Sequence, residues 1–178
     1  MSQPKVTTEQ IDNGAGPSQL LTVGSFQTAG SGRSYQSLTG TISPASGATI
    51  IPLSASAPLI TGGTQIGTAS FTPTASTAKV LIDFGVTLDA SAANTIIIVA
   101  VFRNSTCISS SVVTIDTNGR PKTHTLTFVD SPATTSAVTY SGRVGVSTAG
   151  PTWYVNSVST GNNLGGTLTT SFTLTELS

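Results

Sequence analysis

Short runs of alternating apolar and polar residues, broken by glycine and proline, constrain the fold of this chain most strongly. The clearest run covers residues 78–88. Its apolar positions are Val80, Ile82, Phe84, Val86 and Leu88. A period of two is the spacing of side chains on one face of a β-strand. Because no stretch has a comparable helical period, the pattern predicts an all-β chain.

Further runs of strand type recur along the chain between turn-forming residues. They lie at residues 35–42, 65–72, 95–103, 107–115, 123–129, 137–146, 153–158 and 168–177. The run at 95–103 is almost wholly apolar, which is typical of a strand covered on both faces. Asn118-Gly119 indicates a tight turn, because both residues tolerate a positive φ. Strands at this spacing predict an antiparallel sandwich or barrel of about eight strands.

Composition excludes several classes of function. The 178 residues include 25 Ser and 32 Thr, only 8% are charged, and the formal net charge is zero. Electrostatic binding of nucleic acid or anionic lipid needs clustered Lys and Arg, so we expect neither partner. One Cys and one His exclude a disulfide framework and a zinc site built from these residues of one chain. We expect no metal and no cofactor, and the sparse charge favours subunit interfaces.

The N-terminal region, residues 1–35, differs from the rest. Glycine-rich segments flank one apolar patch of Leu20, Leu21 and Val23. We interpret the region as an arm that docks on a larger particle through this patch, with a plain flexible terminus as the alternative. The first residues lack the pattern of a signal peptide and no apolar run is long enough to span a bilayer, so we expect synthesis in the cytoplasm and no membrane insertion.

Residues suited to catalysis are few and scattered. His124 is the only imidazole, and it lies in a strand pattern between two threonines. A structural histidine explains it better than a catalytic triad does. The carboxylates occur singly at Asp83, Asp89, Asp116, Asp130 and Glu176. A glycosidase needs two carboxyl groups held together, and no spacing here indicates such a pair. We therefore expect no enzyme activity and no catalytic residue.

Two groups of side chains are candidates for recognition. Three arginines, Arg103, Arg120 and Arg143, each need water or a partner. They lie either on a strand edge exposed to solvent or in contact with a subunit or ligand. Tyr140, Trp153 and Tyr154 are the aromatic residues of the C-terminal half, and aromatic rings stack on sugars or pack in cores. Trp153 and Tyr154 are adjacent on a strand, so one should face outward. Arg143, Trp153 and Tyr154 are the predicted receptor-binding or glycan-binding residues.

Four stretches, in order, resemble a domain of tailed-phage structural proteins. They are TIIPL with APLITGGT at residues 49–64, FTPTASTAKVLI at 71–82, VAVFRN at 99–104, and YSGRVG at 140–145 continuing through Asn156 and Gly165-Gly166 to FTLTEL at 172–177. Thr74 stands where the family usually has Lys, and Asn104 where it usually has Asp. Together the stretches resemble the C-terminal domain of phage fibre and spike proteins, including head fibres and spikes of phage-like gene transfer agents.

The resemblance implies a jelly-roll-like antiparallel sandwich that forms a homotrimer on a virus-like particle. Residues 1–35 would then dock on capsid or tail proteins, and residues 36–178 would form the trimerising domain that faces the host. The expected function is a virion fibre or spike that binds host-surface polysaccharide. One alternative is a capsid decoration or cement protein without a receptor. The other is a polysaccharide depolymerase, although the chain has no room for the long β-helix that such enzymes usually add.

Overall fold

The computed structural model describes residues 25–27, 34–161 and 167–177 of this chain. These residues form eleven strands and no α-helix, which confirms the all-β prediction. The strands are β1 (Ser25–Gln27), β2 (Ser34–Ile42), β3 (Ala45–Gly47), β4 (Thr64–Phe71), β5 (Lys79–Ala90), β6 (Thr95–Arg103), β7 (Thr106–Ile115), β8 (Lys122–Asp130), β9 (Val138–Val146), β10 (Trp153–Val155) and β11 (Thr170–Leu177).

The strands form two antiparallel sheets packed face to face. The larger sheet has the order β1-β2-β11-β5-β10-β3, with β8 pairing to the other edge of β5. The smaller sheet has the order β4-β9-β6-β7. The chain passes repeatedly from one sheet to the other, as in a jelly-roll sandwich. β1 pairs with Ser34–Gln36 of β2.

The core between the sheets follows the predicted alternation. Val80, Ile82, Phe84, Val86 and Leu88 of β5 are all fully buried. Burying a side chain of this size contributes roughly 1.5–3 kcal/mol, so this one strand face is a large part of the driving force for folding.

One glycine fixes how closely the sheets approach. A Cβ at Gly142 in β9 would lie 2.3 Å from the Phe84 ring. The Phe84 ring in turn meets Phe172 of β11 edge to face, with ring centroids 5.3 Å apart. The absent side chain at Gly142 therefore makes room for an aromatic pair at the centre of the core.

A second, smaller core covers the outer face of the four-stranded sheet. Residues 49–63 cross this face, and Ile51 packs on Ile98, Ala100 and Phe102. Ile50 makes a parallel bridge to Val146, which ties the crossing segment to β9. This cover explains why the run at 95–103 is apolar on both faces, as predicted.

Polar contacts close the side of the sandwich where β7 and β8 meet. These strands follow one another in the chain but belong to different sheets. Ser111 Oγ and His124 Nε2 are hydrogen-bonded at 2.6 Å between them. At the far end, Arg103 Nη1 donates to Asp130 at 2.8 Å and Tyr140 Oη donates to the same carboxylate at 2.7 Å. Burial, followed by the bond to Asp130, raises the pKa of Tyr140.

Among the residues that the structure describes, no helix has the length and apolar character needed to cross a membrane.

Candidate functional site

The predicted recognition residues lie in three different environments. Trp153 is fully buried and its Nε1 donates to Thr49 Oγ1 at 3.1 Å. This corrects the expectation of an exposed indole: Trp153 pairs with Ala90 on the core side of β5, where its ring fills the space left by Gly47. Tyr154, the next residue, faces outward and is half-buried, as the alternation of β10 requires for one of the two.

The Arg143 side chain is held by hydrogen bonds within the chain. Its Nε donates to the Gly62 carbonyl at 2.7 Å, and its Nη2 donates to the Gly63 carbonyl at 2.9 Å. The guanidinium thus fastens the segment that crosses the four-stranded sheet. The expectation that Arg143 presents a free recognition group is corrected accordingly. The predicted docking residues Leu20, Leu21 and Val23 lie outside the described residues.

The carboxylates of the described chain do not converge. Asp130 binds Arg103, Asp116 binds Lys122, and Asp83 accepts a bond from Thr127. The remaining two are buried: Asp89 accepts backbone N–H groups, and Glu176 Oε1 accepts from the backbone and hydroxyl of Thr74. Within the described ranges, no three His, Cys, Asp or Glu residues are grouped so as to hold a metal ion.

The larger sheet carries an array of hydroxyl groups on its outer side, which we call the threonine face. It consists of Ser37, Thr39, Thr41, Thr123, Thr125, Thr127, Ser171, Thr173 and Thr175, on strands β2, β8 and β11. One row across the sheet runs Thr39, Thr173, Asp83 and Thr127. The next runs Ser37, Thr175, Leu81 and Val129.

Two pairs of hydroxyls on the threonine face bond to each other, both between β2 and β11. Thr39 Oγ1 lies 3.1 Å from Thr173 Oγ1, and Ser37 Oγ lies 3.3 Å from Thr175 Oγ1. Asp83, the one charged residue in these rows, accepts a bond of 2.6 Å from Thr127 Oγ1. A hydroxyl that is already hydrogen-bonded within the protein loses less free energy when water is removed from it, so this surface is comparatively easy to desolvate.

Exposed apolar side chains continue the threonine face at one end. Val129 is 49% exposed and Leu177 is 37% exposed, and Leu81 lies beside Val129 in the ladder of β5 and β8. Alternating threonines in Thr-His-Thr-Leu-Thr at 123–127 and Thr-Leu-Thr at 173–175 were visible in the sequence. Their union into one surface was missed, because the pairing of β2, β11, β5 and β8 is not apparent from local pattern.

Tyr154 stands beside a groove at the opposite edge of the same sheet. The groove lies between Pro44–Ser46 and the loop 157–161, and its volume is about 300 Å³. Beneath it, the buried Asp89 carboxylate accepts the Ser159 N–H at 2.7 Å and the Gly119 N–H at 3.0 Å. Gly119 has a φ of +75° in the predicted Asn-Gly turn. Asp89 thereby holds two loops against the end of β5.

The buried side chain of Asn156 fixes the other end of this loop. Its Nδ2 donates to the Ile42 carbonyl at 2.6 Å, and its Oδ1 accepts the Thr87 N–H at 3.2 Å. Asn156 has a φ of +49°, a conformation that Asn tolerates better than most residues. The chain leaves β10 in one defined direction as a result.

Solved structures similar to this chain include proteins of infectious bursal disease virus. One is "Structure of infectious bursal disease virus Gx strain", at 14% identity and a TM-score of 0.42, covering 82% of this chain. Another is the infectious bursal disease virus VP2 subviral particle, at 14% identity and a TM-score of 0.41, covering 80%. This chain spans only 36% and 37% of the length of those two chains. No curated protein matches.

The family comparison is more direct. The model of the Pgp3 C-terminal domain matches residues 53–177, which is well over half of the chain and includes every strand from β4 to β11. Pgp3 is a chlamydial virulence plasmid protein. This match does not confirm the expected phage-fibre family. Residues 53–177 place this chain in the Pgp3 C-terminal domain family.

Proposed function

We propose that this chain is a non-enzymatic structural subunit of a virion-like particle, a homotrimeric fibre or spike that attaches to the host cell surface. The N-terminal arm docks on capsid or tail proteins, and the β-sandwich faces the host and binds glycan. The chain is synthesised in a bacterial cytoplasm and is then incorporated into the particle. Membership of a family named after a virulence protein supports a role at a host surface.

The observation that carries the proposal is the threonine face. Two pairs of its hydroxyls are bonded to each other, its rows contain one charged residue, Asp83, and exposed Val129 and Leu177 continue it. A second and a third copy of this chain can cover such a surface at little cost in desolvation. The zero net charge of the chain leaves little repulsion between copies.

Light scattering after size-exclusion chromatography tests the assembly. We expect the full chain at micromolar concentration to have three times the 17.9 kDa mass of one chain. Thr173→Lys, which places a charge in the middle of the threonine face, should yield monomers. Ser110→Lys, at an exposed position on the other sheet, is the matched control and should remain trimeric. A monomeric wild-type chain contradicts the proposal.

The same face also supports a second candidate, a decoration protein that clamps neighbouring subunits and contacts no receptor. Particles lacking the protein distinguish the two. Intact particles that fail to adsorb to host cells support the fibre or spike, and particles that fall apart support the decoration protein. Release of reducing ends from host polysaccharide would instead favour a depolymerase, and we expect none.

A further inference from the structure

The groove beside Tyr154 has the features of a small binding site. It is bounded on one side by Pro44 and Ser46 and on the other by Ser159. Its volume of about 300 Å³ lies at the lower end of the range for ligand pockets. Tyr154 is half-buried as a residue and lines the groove.

The lining of the groove selects against charged ligands. It consists of serine and tyrosine hydroxyls, backbone and apolar side chains, and none of its side chains is a carboxylate, an ammonium or a guanidinium. Phosphate, sulfate and carboxylate groups therefore find no counter-charge here. Asp89, fully buried directly below, makes the surroundings still less favourable for an anion.

Hydrogen bonds hold the loop side of the groove in place. The Ser159 N–H is held by Asp89, and the preceding Asn156 is anchored to Ile42 and Thr87 through buried hydrogen bonds. A site whose walls are already placed loses less entropy when a ligand binds.

One hydroxyl group at the groove lacks a partner. Ser159 Oγ is shielded from solvent and makes no hydrogen bond, an arrangement that costs free energy in the unliganded chain. Because Ser159 Oγ is closed off from solvent, the exposed hydroxyl of Ser46 is the group that can bond to a ligand in the groove. An aromatic ring together with uncharged donors and acceptors is the combination that suits a sugar ring.

We propose that this groove binds one residue of a neutral saccharide, with the sugar ring against Tyr154 and a sugar hydroxyl bonded to Ser46. The choice of a saccharide rests on the proposed host-attachment function, whereas the groove lies within one chain and does not need the trimer. In a trimer, three such sites on one particle component would raise the avidity for a polysaccharide surface.

Saturation-transfer NMR with the full-length chain tests the site. The probes are glucose, galactose, N-acetylglucosamine and N-acetylgalactosamine, with N-acetylneuraminic acid and glucose 6-sulfate as charged comparisons. We expect saturation transfer to at least one neutral sugar and none to the charged ones. Tyr154→Ala should weaken binding by about tenfold or more, because the stacking surface is lost.

A second variant guards against an effect of Tyr154→Ala on folding. Ser46→Trp fills the groove from the edge strand, where Ser46 is exposed, and should abolish transfer. Thr106→Ala, an exposed hydroxyl deletion on β7, should bind as the wild type does. Light scattering on the same samples reports assembly separately, so a monomer that still binds sugar contradicts only the proposed trimer.

Three outcomes overturn the saccharide assignment. They are no transfer to any of the four neutral sugars by a folded, assembled chain, unchanged binding in Tyr154→Ala and Ser46→Trp, and stronger binding of the charged sugars than of the neutral ones.

Discussion

At the scale of single residues, buried polar side chains decide where the loops of this protein lie. Asp89 and Asn156 have no exposed surface, and both bond to backbone groups of segments far away in the chain. Buried polar groups of this kind are costly unless every bond is made. They therefore specify one loop arrangement, and the groove beside Tyr154 depends on it.

Replacing Asn156 with alanine should lower the free energy of unfolding by about 3 kcal/mol. The change leaves the Thr87 N–H and the Ile42 carbonyl without their partner and puts alanine at a positive φ. Asn94→Ala is the matched control, since Asn94 is exposed and has a similar φ of +56°. It should cost only about 1 kcal/mol. Urea denaturation measures both values, and equal losses would contradict the role given to the buried bonds.

At the scale of elements, the contact between β7 and β8 joins the two sheets without a ladder of backbone hydrogen bonds. Side chains make the connection, through Ser111 and His124 near the middle, and the pair of Arg103 in β6 and Asp130 in β8 joins the same two sheets at one end. The imidazole is partly withdrawn from water, and this burial lowers the pKa of His124. The contact between β7 and β8 on this side of the sandwich should therefore weaken as the pH falls.

The sign of that sensitivity follows from the direction of the shift. Because the pKa of His124 in the folded chain lies below its ordinary 6.5, the unfolded chain takes up the proton first as pH falls. The contribution of His124 to stability is complete above that ordinary value and declines as pH drops toward the folded value. Urea midpoints from about pH 7.5 to about pH 5 should show this decline.

His124→Gln separates this effect from that of the carboxylates. Glutamine keeps a hydrogen-bonding group near Ser111 but does not titrate, so the variant should lose less stability than the wild type over the same interval. Ser111→Ala keeps the titrating imidazole and should retain a pH dependence. Identical pH profiles for the wild type and His124→Gln would show that the imidazole does not govern this contact.

At the scale of the whole molecule, strands from both ends of the described chain share one sheet with its centre. β2 and β11 pair with each other, and β11 pairs with β5. This pairing makes the threonine face a surface of the complete domain, because no single hairpin contains it. Assembly through this face links the stability of each subunit to the concentration of the others.

The thermal unfolding midpoint of the full chain should therefore rise with protein concentration, by about 2–3 °C for each tenfold increase. Differential scanning calorimetry over two decades of concentration measures the effect. Thr173→Lys should remove the dependence, and Ser110→Lys should preserve it. A midpoint independent of concentration for the wild-type chain would argue against self-association as a source of stability.

Much of the secondary structure could be predicted from the sequence. The eight long strands lie within a few residues of the predicted runs, and β6 has the predicted bounds at Thr95–Arg103. Alternation also showed that one of Trp153 and Tyr154 faces outward, but it could not show which one. That choice depends on the pairing of β10 with β5, where the inward side is set by a strand some 65 residues earlier in the chain.

The environments of the predicted site residues also depend on residues that are far away in the sequence. Arg143 was predicted to be free for recognition, yet its partners Gly62 and Gly63 lie about 80 residues away. Nothing near Arg143 in the sequence indicates those carbonyls. The sequence itself determined where the strands lie, which alternate side chains of a strand are buried, and that charged residues are not clustered. These features arise from the period of a strand and from side-chain chemistry. Only the tertiary structure decided the threonine face, the groove beside Tyr154, and the environments of Arg143 and Trp153. The reason is that backbone hydrogen bonds between distant strands carry no local sequence pattern.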